Sequence, residues 1–126
     1  KGGFTLLLEF DNRTPIFEQL AEKIQDAILE NTYLEDQQIP STTEMALTLK
    51  INPATALKGV NILVDEGIVY KKRGLGMFVA NGAKEKIHAK RKQEFFSKYI
   101  EALLEEAKKL GISREDLITM IREAAK

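Results

Sequence analysis

The sequence predicts an α+β chain in which three short helices and a β-hairpin precede two longer amphipathic helices. Three observations predict it. Helix-start signals recur at Thr14-Pro15, Ser41-x-x-Glu44 and Asn52-Pro53. The hydrophobic period changes after Gly67 from that of a helix to that of two strands interrupted by Gly74 and Gly76. After Asn81-Gly82 the helical period returns and runs almost to residue 126. Two short helices two or three residues apart, followed at once by a hairpin bearing cations, have the spacing of a winged helix-turn-helix. The predicted division is therefore an N-terminal winged helix-turn-helix over residues 1–82 and a two-helix C-terminal dimerisation tail over residues 83–126.

Each element has its own local reason. Phe4 to Phe10 are apolar and β-prone, which predicts a short strand or extended arm. Thr14 can cap a helix, and Pro15 suits the first helical position, where its missing N–H is harmless. Ile16, Leu20, Ile24 and Ile28 follow at spacing four, with Phe17 and Ala27 beside them, giving one apolar helical face to about Asn31. Residues 32–40 read as a turn and a short extended piece ending at Ile39-Pro40. Ser41 and Glu44 form a capping box that opens a short helix, with Met45, Ala46 and Leu49 inward, ending near Lys50. Asn52 and Pro53 start the next helix, in which Ala56, Val60, Leu63 and Val64 make the buried stripe, and Gly67 ends it. Ile68–Tyr70 and Met77–Ala80 are the hairpin strands, with Lys71, Lys72 and Arg73 placed at the tip. A long helix spans Lys84 to Leu110 and stops at Gly111. Ser113, with Asp116 three residues on, caps the last helix, whose apolar face is Leu117, Ile118, Ile121 and Ala124.

Composition excludes several classes. The 44% hydrophobic content suffices for a core. Cysteine is absent, so disulfides and thiolate metal sites are excluded, which fits a reducing, cytoplasmic setting. His88 is the only histidine and reads as a surface residue, so no metal and no cofactor are expected. No carboxylates are paired in a recognisable site, so no enzyme is expected. No apolar stretch approaches the ~20 residues that span a bilayer, and no signal peptide precedes the domain, so no membrane partner is expected.

The formal net charge is zero, yet the charges are segregated. Residues 1–50 hold four cations against nine carboxylates, whereas residues 51–80 hold four cations against two. Phosphate binding needs a local positive surface, not a positive total. A further cluster, Lys84, Lys86, Lys90, Arg91 and Lys92, reads as a solvated helix start rather than as phosphate contacts.

The pattern points to double-stranded DNA. The second helix of such a motif lies in the major groove with its N-terminal residues aimed at base edges. Those residues are Asn52, Ala54, Thr55, Lys58 and Asn61. Asn can pair with adenine, Thr or Ala can meet a thymine methyl, and Lys58 can reach phosphate or guanine. Ser41, Thr42 and Thr43, at a helix N-terminus with free amides, suit a phosphate oxygen. Lys71, Lys72 and Arg73, carried by a hairpin that Gly74 and Gly76 allow to turn, suit the adjacent minor groove or backbone. In the tail, Phe96, Tyr99, Ile100, Leu103, Leu104 and Ala107 line one helix, and Leu117 and Ile121 line the next. Two helices cannot cover these faces completely by themselves, which points to a second copy and a homodimer. An alternative from another class is a protein-interaction module that uses the winged helix as a scaffold. The Gly74-Leu75-Gly76 run is a poor phosphate cradle, because strands flank it on both sides.

The runs Ile39-Pro40-Ser41-x-x-Glu44-Met45-Ala46, Ile51-Asn52-Pro53-x-Thr55, Leu63-x-x-Glu66-Gly67-Ile68-Val69 and Arg73-Gly74-x-Gly76-x-Phe78-Val79 resemble the GntR family of transcription regulators. Pro15-Ile16-Phe17-Glu18-Gln19-Leu20 looks like that family's first helix. The resemblance covers roughly residues 10–80 in order and spacing, and the short tail looks like the YtrA subfamily. It implies a homodimeric repressor that binds an operator and controls an operon, often for an ABC-type transporter. Departures from the family pattern are Thr43, Pro53 and Leu57, where arginine is usual, and Gly59, where alanine is usual. Missing arginines remove bidentate reading of guanine, so the expectation is weaker intrinsic affinity, an A·T-biased operator and more reliance on the wing.

Overall fold

In a computed structural model the described residues are 10–126. The arm expected over residues 4–10 lies outside them except for Phe10, which packs half-buried against the core. The elements are α1 Ile16–Leu29, β1 Gln38–Ile39, α2 Thr42–Leu49, α3 Pro53–Asp65, β2 Val69–Lys72, β3 Gly76–Val79, α4 Ala83–Phe95, a π-helical turn Phe96–Ile100, α5 Glu101–Leu110 and α6 Arg114–Ala124. The strands form one antiparallel sheet in the order β1-β3-β2. This is the α+β winged helix-turn-helix with C-terminal helices that the periodicity predicts. One addition is β1. The extended piece before Pro40 pairs with the wing, Gln38 opposite Phe78 and Ile39 opposite Met77. The chain divides into two compact units, the first ending at His88 and the second spanning Ala89–Lys126.

Three helix starts are capped as their sequences dictate. Ser41 Oγ accepts from Glu44 N at 3.0 Å, Asn52 Oδ1 from Ala54 N at 2.7 Å, and Ser113 Oγ from Asp116 N at 3.1 Å. Each satisfies an amide that a helix N-terminus would otherwise leave orphaned. The first helix differs from expectation. Pro15 takes the cap position itself, and Thr14 makes no side-chain cap. The buried Gln19 explains the difference. Its Nε2 donates to the carbonyls of Asp11 at 2.9 Å and Thr14 at 2.6 Å, while its Oε1 accepts from Asp11 N at 3.0 Å. A side chain one turn inside the helix thus holds the incoming segment. Ile16, expected on the apolar face, is exposed at this first turn.

The first unit's core collects Leu20, Ile24 and Ile28 of α1, Met45 of α2, Val60 and Leu63 of α3, and Val69 and Val79 of the sheet, all essentially solvent-free. Ile87 of α4 is fully buried in the same cluster. Gly59 sits where α1 and α3 touch. A Cβ there would lie 2.8 Å from the Phe17 backbone oxygen and 3.1 Å from Leu20 Cδ2. The glycine therefore sets the closeness of the two helices, and its helix-interior cost is offset by the packing it permits.

Glu35 fastens the start of α4. Its carboxylate accepts from the backbone amides of Gly82 and Lys84, the latter at 3.2 Å. Lys84 Nζ donates to Asn31 Oδ1 at 2.7 Å, and Lys86 Nζ donates to the Gly67 carbonyl at 3.2 Å. Two cations of the Lys84–Lys92 cluster are thus engaged within the first unit. The amide of Gly82, then that of Lys84, holds the Glu35 carboxyl below its ordinary range.

Two outcomes are expected. Gly59→Ala gains about 1 kcal/mol of helix propensity and loses about 1–3 kcal/mol to overpacking against backbone, so the urea midpoint falls with an unchanged m-value. Glu35 holds those amides most strongly when ionised, so the added stability is complete above the ordinary carboxylate range and is lost as pH falls through the lowered value. The amide resonances of Gly82 and Lys84 should titrate together with a midpoint below 4.5, the usual value for this group. A midpoint at or above it contradicts the assignment.

Candidate nucleic-acid interface

The sequence-predicted residues of α3 sit at its N-terminal end and along its outer side. Asn52, Ala54, Lys58 and Asn61 are exposed, and Thr55 is half-buried. Asn52 Oδ1 is committed to the cap, so its amide nitrogen is the group left for a ligand. Lys58 Nζ lies 4.2 Å from the centroid of the Phe17 ring. That cation–π contact holds the lysine toward α1 and limits the directions in which it can reach. On α2, Ser41 and Thr43 are exposed and Thr42 is half-buried, with the Ser41 hydroxyl occupied by the Glu44 amide.

The wing departs from the simple picture of three cations at a tip. Lys71 and Lys72 lie within β2, paired with Met77 and Gly76, and only Arg73 is in the turn. Strand alternation sends successive side chains to opposite faces. Tyr70 stacks on Phe78 with ring centroids 5.7 Å apart, and Lys72 Nζ sits 4.7 Å from the Phe78 centroid on that face. Lys71 belongs to the opposite face. The wing therefore presents cations on both faces and at its end. Tyr70 is thus part of the wing.

Two wing features are not evident from local sequence patterns. Leu75 is 61% exposed between Gly74 and Gly76. Its N–H donates to the Lys72 carbonyl at 2.9 Å, closing the turn, and its carbonyl accepts from Gln38 Nε2 at 2.7 Å. Gly76 is required because its φ of +123° is one that other residues rarely adopt, and a Cβ there would also meet Gln38 Nε2 at 2.5 Å and push that side chain aside. The one signal for Leu75 is a leucine set between two turn glycines. Gln38 carries no such signal, because its partner lies 37 residues away. Leu57 of α3 is also exposed, as is Leu47 of α2.

In the second unit Ala107 and Leu117 are buried and Ile100 is half-buried. Phe96, Tyr99, Leu103, Leu104 and Ile121 are exposed, and Phe95 lies against Tyr99 at 5.5 Å. The π-helical turn inserts an extra residue into the helical repeat and displaces the aromatic end of the stripe relative to its leucine end. His88 is exposed, and no group of three His, Asp or Glu among the described residues can hold a metal. Among the described residues no helix is long and apolar enough to cross a membrane.

No family model matches the chain. A solved GntR-family transcriptional regulator from Bacteroides thetaiotaomicron is 35% identical, covers 87% of this chain and 96% of its own, and superposes with a TM-score of 0.76. The chain belongs to the GntR family of transcription regulators. Among its relatives the HTH-type transcriptional repressor YtrA of Bacillus subtilis is 28% identical over 119 residues, 93% of this chain and 91% of the repressor. The match to YtrA over nearly the whole of both chains places this GntR regulator with the short-tailed, YtrA-like members. The DNA-binding domain of AraR, solved in complex with an operator, is 30% identical with a TM-score of 0.55, covering 60% of this chain and 96% of that domain.

Proposed function

We propose that this GntR-family regulator is a homodimeric repressor that binds a double-stranded DNA operator and controls an operon, on the family resemblance one for a transporter. One observation carries the reading. The exposed N-terminal end of α3 and a cation-bearing wing belong to one compact unit with a common core. Base edges are assigned to Asn52, Ala54, Thr55, Lys58 and Asn61. Phosphates are assigned to Ser41, Thr42 and Thr43 and to the wing cations Lys71, Lys72 and Arg73, with Gly74 and Gly76 shaping the wing. The operator complex of the similar AraR domain supports the DNA-binding reading. Residues 1–82 serve as the DNA-binding part and residues 83–126 as the dimerisation tail. The regulator acts in the cytoplasm by occupancy and not by chemistry, without a cofactor.

The dimer assignment follows from the tail's exposed stripe. Phe96, Tyr99, Leu103, Leu104 and Ile121 gain burial only against another surface, whereas Ala107 and Leu117 are already buried and Ile100 half-buried. A second copy of the same helices is self-complementary and doubles the number of DNA-reading units.

Two measurements test this. Replacing Lys71, Lys72 and Arg73 together by alanine should weaken binding to the operator and flatten the dependence of log K on log salt by about 0.9 for each phosphate no longer neutralised. Unchanged binding and function would favour a protein-interaction module on the same scaffold. Leu103→Glu should convert a dimer to a monomer in sedimentation equilibrium and cost affinity for a two-half-site duplex far more than for a single half-site. A wild-type monomer overturns the dimer.

A further inference from the structure

We propose that Leu75 is a specificity-determining side chain of the wing, an apolar probe of the minor-groove floor that selects A·T pairs, and that Gln38 is the positioning residue that aims it. The proposal rests on the DNA-binding reading above and adds to it the residue that probes the groove, the base class and the means of aiming.

Single exposed leucines are ordinary on protein surfaces. The surroundings of Leu75 set it apart. Both of its backbone polar groups are tied, the N–H to the Lys72 carbonyl and the carbonyl to Gln38 Nε2. The backbone that carries its side chain is therefore held from two sides. Its neighbours, Gly74 and Gly76, add no side chains of their own; nothing lies within 4 Å of the place where a Gly74 Cβ would be, and the Gln38 amide fills the space beside Gly76. A slender tip suits a minor groove only about 6 Å wide. Arg73, in the same turn, supplies the positive charge that the narrow A·T minor groove attracts.

The chemistry gives the base preference. The minor-groove floor of an A·T pair carries acceptors only, whereas G·C adds the guanine 2-amino donor at its centre. A leucine covering that amino group removes it from water and offers no acceptor, which is unfavourable. Over A·T pairs the same leucine meets no projecting group. Gln38 contributes through geometry alone. It stands in β1 opposite Phe78, and its amide crosses to the tip, where Gly76 leaves it room. Without that donor the Leu75 carbonyl loses its tie to the sheet, and the tip loses its fixed direction.

The test uses the full chain and the duplex it enriches from a randomised library. Flanking A·T pairs of that duplex are changed one at a time to G·C and to inosine·cytosine. Inosine lacks the 2-amino group and keeps the major-groove face of guanine, so the comparison isolates the minor groove. At one or two pairs, G·C should bind about tenfold more weakly than A·T, while inosine·cytosine binds within about twofold of A·T. Leu75→Ala and Gln38→Met should each bring G·C to within about twofold of A·T at those pairs, with thermal midpoints unchanged and major-groove preferences kept. Both side chains are exposed, so the core is untouched; Gln38→Glu, equal in size and without the donor, provides a second variant with the same expected result. Inosine·cytosine binding as weakly as G·C overturns the minor-groove reading. Retained discrimination in Leu75→Ala overturns the role of the leucine, and in both Gln38 variants that of the glutamine. Failure of the library to enrich any sequence overturns the DNA-binding reading itself, and the proposal with it.

Discussion

The pairing of β1 with β3 is the constraint on which the interface depends. β1 is two residues long, yet it joins the wing to the helix-turn-helix. Beyond the pairs at Gln38 and Ile39, Asp36 N donates to the Val79 carbonyl at 2.7 Å and Val79 N to the Gln37 carbonyl at 3.0 Å. Ile39 is buried and is followed at once by Pro40 and the Ser41 cap of α2. Any tilt of the wing is therefore transmitted to the start of α2, and α2 packs on α3. An isolated two-stranded hairpin is marginal in water; a third strand with a buried face gives it a fixed direction. The middle position in this sheet belongs to β3, so the strand leaving the wing is paired along both edges.

What is legible in the sequence is what is local. The caps at Ser41, Asn52 and Ser113 act over two or three residues, and all three predicted caps accept an amide of their own helix's first turn. The period change after Gly67 likewise reports burial residue by residue. What escapes a reading of the sequence is decided by distant partners. Gln38 and Ile39 read as a short extended piece, and the strand they pair with is not visible until the wing is beside them. Thr14 fits a cap, but the competing bonds of Gln19 are stronger because they satisfy three backbone groups with one buried amide. Gly59 reads as a weak point in a helix until the Phe17 carbonyl is seen 2.8 Å from its absent Cβ. Among the site residues, exposure of Asn52, Lys58 and the wing cations is foreseeable from their position; the hold of Phe17 on Lys58 and the placement of Lys71 and Lys72 within a strand are not.

Electrostatics in this chain work locally. A net charge of zero is compatible with a cationic wing because the carboxylates are used elsewhere. Asp11 binds Arg13 at 2.9 Å, and Glu35 receives the first amides of α4. The excess acid of the first fifty residues thus sits in the segments before β1 and along α1, and the wing carries cations without a carboxylate in its own strands. Charges segregated along the chain in this way make the domain electrically asymmetric, and such asymmetry orients an encounter as well as attracts.

The tail poses the converse problem, of apolar surface and not of charge. Within Ala89–Lys126 the buried apolar side chains are Ala107, on α5, and Leu117, on α6. One small and one large side chain are far too little to repay the ordering of two helices. Yet α5 and α6 are well formed, capped by Ser113 and ended by the left-handed Gly111. Local signals define where such helices begin and end; they do not hold helices of this length together in water. Under the proposed dimer, the missing stabilisation comes from covering the stripe of Tyr99, Leu103, Leu104 and Ile121. Dimerisation, as proposed, would then be a condition for the tail's stability and not an addition to it. Because the π-helical turn displaces Phe96 and Tyr99 relative to Leu103, the covering surface must follow a bent stripe, which a second copy carrying the same displacement matches by symmetry.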